Sequence, residues 1–230
     1  MDIAGRGRPR LDPDPQVREA ILVAALAIVR EEGVRALGIS QVLARAQLGT
    51  RAFYRHFDSK DQLVAALFLD MARIEMQRLR ERMAGHDPVR AVAAWIDGRL
   101  DLAFDPQIRS DLRQLSLEAQ SQMFAAPELV GPAYSEILHP LIDEIDRGKR
   151  LGLFGDVDPA AEALSIQGVV WANVERQWAT GTSDRAATRR RIQRFCLSGL
   201  GVAAGTVADI IGARPKPSGP KKPVRRKRSS

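Results

Sequence analysis

The sequence predicts an all-α protein, with an N-terminal three-helix unit followed by a larger helical bundle. Three observations predict it. Asp-Pro pairs precede amphipathic segments at Asp14-Pro15, Asp87-Pro88, Asp105-Pro106 and Asp158-Pro159. Asp suits a helix N-cap because its carboxylate accepts orphan backbone N–H groups; Pro suits the first helical position because its missing N–H had no partner there. Apolar residues recur at helical spacing, as in Leu63, Leu67, Met71 and Ile74. Glycine closes several segments, at Gly33, Gly85, Gly148 and Gly181, and no alternating strand pattern interrupts them.

In chain order the pattern predicts helices over 15–32, 39–46, 50–57, 60–84, 88–103, 106–124, 127–147, 159–179 and 184–204. The second and third are about two turns each and nearly contiguous. The fourth starts at a capping box, Ser59-Lys60-Asp61-Gln62, in which Ser and Gln exchange backbone caps. It joins the front unit to the bundle. The predicted division is a disordered basic arm (1–14), a helix-turn-helix unit (15–59), a helical bundle (60–206) and a disordered basic tail (207–230).

The formal net charge of +7 is unevenly placed. Eight basic residues and no acid follow Ala213, which leaves −1 for residues 1–213. The basic balance therefore belongs to the tail and says nothing about the folded body. One cysteine, Cys196, excludes an internal disulfide. The N-terminus has no apolar stretch of a secretory signal, and the longest apolar run, Ala20–Val29, is half of a membrane span. The expectation is a soluble cytoplasmic chain with no membrane partner. Three histidines and one cysteine make no zinc cluster, and no phosphate-binding glycine loop occurs. No cofactor is expected, and an enzyme would lack residues to carry its chemistry.

The stretch "LGTRAFYRHF" (48–57) concentrates aromatic and cationic residues in a chain that is 5% aromatic. "ISQVLARA", a short turn and "TRAFYRHF" form a helix-turn-helix pattern, whose second helix enters the DNA major groove. At 100° per residue, Phe53 and Phe57 share one side and Arg51 and Arg55 the opposite one, with Tyr54 and His56 flanking the aromatic pair. One face is core; the other is a cationic ridge. A guanidinium fork matches guanine O6/N7, so Arg51 and Arg55 suit base reading, whereas Tyr54 and Lys60 suit phosphates. The plain alternative for the two arginines is a solvated helix face.

Val17 to Phe68 resembles the DNA-binding domain of TetR-type transcriptional repressors, most specifically in Phe53-Tyr54-Arg55-His56-Phe57 followed by Ser59-Lys60. Ala24-Ala25-Leu26, Gly33 and Ala44-Arg45-Ala46 support it. The resemblance implies base contacts from Thr50, Arg51 and Arg55, and phosphate contacts from Ser40, Tyr54, His56 and Lys60. Two positions depart from the family pattern. Gln47 stands where the turn usually has Gly, and Gly49 stands where Ser or Thr is favoured. Upstream, "GRGRPR" resembles an AT-hook core, so Arg6 and Arg8 are candidates for the minor groove; the alternative is a floppy basic arm adding nonspecific attraction.

The same resemblance implies a homodimer built by the last two long helices. In this chain these carry Leu164, Val170, Trp171, Val174 and Trp178, then Ile192, Phe195, Cys196, Leu200 and Val202. It also implies a small-molecule cavity in the bundle. Candidate liners are Met71, Trp95, Leu102, Phe104, Leu115, Met123, Phe124 and Trp171, with Arg99, Glu118, Gln120, Gln167 or Asn173 as polar anchors and a mostly apolar effector as occupant. Ordinary core packing competes with that role at each position. The reading is a dimeric repressor, released from a double-stranded DNA operator by a small molecule. The rival is a ligand-independent architectural DNA-binding protein using arm and tail.

Overall fold

A computed structural model describes residues 14–105, 113, 115–119 and 127–212. The arm residues Arg6 and Arg8, the candidate liners Met123 and Phe124, the candidate anchor Gln120, and the tail from residue 213 lie outside the described residues. The described residues form helices and no strand. The helices are α1 (Pro15–Glu32), α2 (Ile39–Ala46), α3 (Thr50–Tyr54), α4 (Lys60–Met83), α5 (Pro88–Phe104), α6 (115–119), α7 (Pro127–Arg150), α8 (Pro159–Thr180), α9 (Arg185–Gly199) and α10 (Ala204–Gly212). A 3-10 turn, Val34–Ala36, links α1 to α2.

The capping chemistry is realised at three Asp-Pro pairs. Asp14 accepts from the Gln16 N–H (2.9 Å), Asp87 from Arg90 (3.0 Å) and Asp158 from Ala160 (3.0 Å). At the fourth pair Asp105 ends α5, and Pro106 lies outside the described residues. Ser59 Oγ accepts from the Gln62 N–H at 3.1 Å, but Gln62 Oε1 accepts from the Asp58 N–H, one residue before the position the capping box anticipates.

Two apolar cores result. One joins α1, α2, α3 and the start of α4, with Ile21, Ala25, Val42, Phe53, Phe57 and Leu63 buried in it. The other fills the bundle around Trp95, Leu79, Ile96, Leu141 and Val170. The α4 helix contributes to both and packs along α5 and α7. It is the mechanical link that its length predicts.

Three differences from the sequence pattern have local causes. Gly148 does not end a helix: α7 runs on to Arg150, and a Cβ at Gly148 would sit 2.1 Å from the Phe154 ring. The glycine is there so that the ring can lie on the helix backbone. The last predicted helix, 184–204, is interrupted after Gly199. Gly201 takes φ 81°, and α10 then extends to Gly212 with Val207 and Ile210 buried against the bundle. The left-handed glycine turns the chain back onto the core, so helix reaches six residues past the expected end of the bundle at 206. Finally, α3 is one turn and a half rather than two.

Candidate DNA interface and bundle cavity

The α2–α3 turn decides where α3 points. Gln47 is left-handed, at φ 56° and ψ 41°. Its N–H donates to the Ala44 carbonyl (3.3 Å), and the Leu48 N–H donates to the Leu43 carbonyl (3.0 Å). This paired closure is a Schellman motif, normally built on glycine. The half-buried Leu48 packs on the same core as Leu43, so apolar contact offsets the strain of a side chain in this region. Gly49 then opens α3 without a side-chain cap.

On α3, Phe53 is fully buried and packs at a tilt against Phe57, with ring centres 5.6 Å apart. The Arg18 guanidinium of α1 lies over the Phe57 ring at 5.4 Å. Thr50, Arg51, Tyr54 and Arg55 are exposed, as are Ser40 on α2 and Lys60 at the start of α4; His56 is half-buried. Tyr54 is 55% exposed, yet its ring meets Phe53 edge-on at 5.4 Å, which holds the phenol at the surface in a defined orientation. Thr50, Arg51, Tyr54 and Arg55 lie on one short stretch anchored from behind by two phenylalanines. It is the division of faces that helical rotation predicts.

Residues 21–67 match the sequence model described as bacterial regulatory proteins, tetR family. The N-terminal unit is a TetR-family domain. As a whole the chain is similar to solved structures in fold. RolR in complex with resorcinol superimposes with a TM-score of 0.66 at 21% identity, covering 87% of this chain and 95% of that one. GusR of Salmonella enterica gives 0.63 at 18%, covering 81% and 96%. SmeT, the repressor of a Stenotrophomonas maltophilia multidrug efflux pump, gives 0.58 at 24%, covering 82% and 91%. No curated protein matches the sequence. Among the described residues no helix is long and apolar enough to cross a membrane.

In the bundle, a small enclosed cavity lies between α4, α5, α6, α7 and α8. Phe68, Glu75, Arg99, Ser116, Tyr134 and Trp171 line it. Of the sequence candidates, Met71, Arg99 and Trp171 reach it. Trp95 is fully buried in the adjoining core, with its indole N–H donating to the Ile137 carbonyl at 3.3 Å. Leu102 is buried too, and its carbonyl accepts from the Trp178 indole at 3.1 Å. Gln167 is buried with its Oε1 unpartnered, and Glu118 is half-buried on α6. Leu115 packs elsewhere: it is fully buried in the core of the N-terminal unit. Position along α6 decides this, since the next residue, Ser116, faces the cavity.

Glu75 and Tyr134 were not among the sequence candidates. Glu75 sits three residues before Arg78 on a helix dense in charge, and this spacing reads equally well as a surface pair. It is instead 5% exposed. Arg78 Nε and Nη2 each donate to it at 2.8 Å. The network continues on α5 and α9. Asp101 accepts from Arg78 (3.0 Å) and Arg82 (2.8 Å) and also pairs with Arg185; Asp97 accepts from Arg189 (2.9 Å) and Gln193 (3.0 Å). Burial works against Glu75's charge, yet Arg78 and Arg99 hold its carboxyl below the usual range. At Asp97 burial prevails over Arg189 and pushes the carboxyl up.

The faces of α8 and α9 divide. Val170, Trp171, Val174, Ile192, Cys196, Leu200 and Val202 belong to the bundle core, and Trp178 packs partly against it. Leu164 (64%) and Phe195 (68%) stay exposed. Phe195 borders a groove of about 590 Å³ between the two helices, with Glu162, Ile166, Val169 and Arg194 on its walls.

Proposed function

We propose that the protein is a homodimeric repressor that holds an operator through α3 and releases it when a small molecule occupies the bundle. The observation that carries this reading is the split of residues 50–57, α3 and the turn after it, between buried Phe53 and Phe57 and exposed Arg51, Tyr54 and Arg55. In the proposed contact, Thr50, Arg51 and Arg55 meet base edges, while Ser40, Tyr54, His56 and Lys60 meet phosphates. The exposed Leu164 and Phe195 form the interface with a second copy, a pairing that buries aromatic surface. Two recognition helices then fall about one helical turn of DNA apart. RolR, solved with resorcinol, and SmeT, a repressor, support effector binding and repression by likeness of fold.

Titration of operator and random DNA at rising salt tests the reading. A repressor keeps a large specificity ratio at moderate salt; an architectural protein loses affinity for both DNAs in parallel. Arg51→Ala should cost about 1–3 kcal/mol on the operator and relax preference at one position, whereas Lys60→Ala should weaken all sequences alike and lower the salt slope by about one. Unchanged specificity in Arg51→Ala would remove Arg51 as a reader.

A further inference from the structure

Arg99 is an undercompensated charge. It is 4% exposed. Its Nη1 lies 3.5 Å from Glu75 Oε1, at the limit of a hydrogen bond, and its Nε has no partner. Glu75 is already engaged by the Arg78 fork, with both bonds at 2.8 Å. The two arginines respond oppositely. Burial works against both charges, but Glu75 and Asp101 outweigh it at Arg78, which is raised; at Arg99 burial wins, and its affinity for a proton falls. A buried guanidinium with an open donor is poised for an anion, and its planar fork matches a carboxylate.

The remaining walls are mostly apolar and aromatic. Phe68 and Tyr134 meet edge-on at 5.5 Å; Met71, Ala72, Ile137 and Trp171 add apolar surface, and Ser116 is the polar exception. The enclosed space is about 10 Å³, the size of a single water. An occupant must therefore part the half-buried Met71 and Tyr134. Pairing the Arg99 charge offers a driving force that a neutral occupant lacks.

We propose that this cavity takes a small aromatic carboxylate, with its ring against Phe68, Tyr134 and Trp171 and its anionic end on Arg99. The inference rests on the reading that the bundle holds an effector and adds the effector's chemical class.

The test is calorimetric titration of the full-length protein with benzoate, phenylacetate and 1-naphthoate, each beside its neutral primary amide. At least one acid should bind ten-fold or more tightly than its amide. Arg99→Met should abolish that preference. Glu75→Gln, which removes the carboxylate competing for Arg99, should tighten acid binding at least three-fold without affecting the amides. A purely structural role for Arg99 would not produce opposite signs in two variants that both keep the helical circular dichroism. Amides binding as tightly as acids, or a preference for acids that survives Arg99→Met, would overturn the proposal and leave the effector reading standing. No binding by either series would likewise overturn the proposal; the effector reading, which names no such chemical class, would stand.

Discussion

Leu115 is fully buried in the core of the N-terminal unit, and Ser116, its neighbour in the chain, lines the cavity of the bundle. One step along α6 thus passes from the core that seats α3 to the cavity proposed for the effector. A shift of α6 would be felt by both, because packed cores transmit displacement rather than absorb it. Leu115→Ala should cost about 2–5 kcal/mol by denaturant unfolding. It should also alter operator affinity in the absence of any effector. Leu79→Ala, equally buried but confined to the bundle core, should lose comparable stability and leave that affinity unchanged. Equal affinities for the two variants would show that Leu115 does not couple the units.

The α2–α3 turn has untapped stability. Gln47→Gly should raise stability by about 1 kcal/mol, since glycine occupies the left-handed region without the penalty of a Cβ. Gly49→Ser should add a few tenths of a kcal/mol by capping α3, and its Cβ meets nothing within 4 Å. Thermal unfolding of the two single variants and the double would check both effects; the sites are close enough that additivity itself is informative.

Leu164 and Phe195 are large apolar side chains left in water on adjacent helices. Phe195→Glu and Leu164→Glu should each shift the protein toward monomer in analytical ultracentrifugation. The helical circular dichroism should stay intact, because neither side chain is part of the bundle core. Operator affinity should fall with dimerisation, since each half-site alone offers half the contacts. A dimer that survives both substitutions would place the interface elsewhere.

Burial raises the Cys196 thiol to about 12, and the nearby Glu162 carboxylate adds to the shift. The sign is that the native protein disfavours thiolate. At pH 8 roughly one molecule in 10⁴ is ionised, and the thiolate is the reactive form. Native protein should therefore react with a disulfide reagent at pH 8 orders of magnitude more slowly than denatured protein does. Fast stoichiometric labelling under native conditions would contradict the burial of Cys196.

What the sequence by itself determined is what local physics controls. Asp-Pro caps set the starts of α1, α5 and α8, because N-capping needs only the residue and the few N–H groups after it. The alternation of Arg51, Phe53, Arg55 and Phe57 over residues 50–57 follows from the helical repeat, so the division into seat and ridge was legible in the sequence, although α3 itself ends at Tyr54. Left-handed Gln47 was legible as a departure from the expected turn residue. Tertiary structure decided the rest. Gly148 reads as a helix end, but it lies within α7 and accommodates the Phe154 ring, which the loop after α7 folds back onto the helix. Glu75 read as half of a surface pair, and only the packing of α4 against α5 buried it beside Arg99. Leu115 and Ser116 carry no sequence signal that separates them, since which core each enters depends on where α6 lies between two units. Local chemistry fixes how a helix starts and which of its faces is apolar; which neighbour covers that face is settled only when the whole chain is packed.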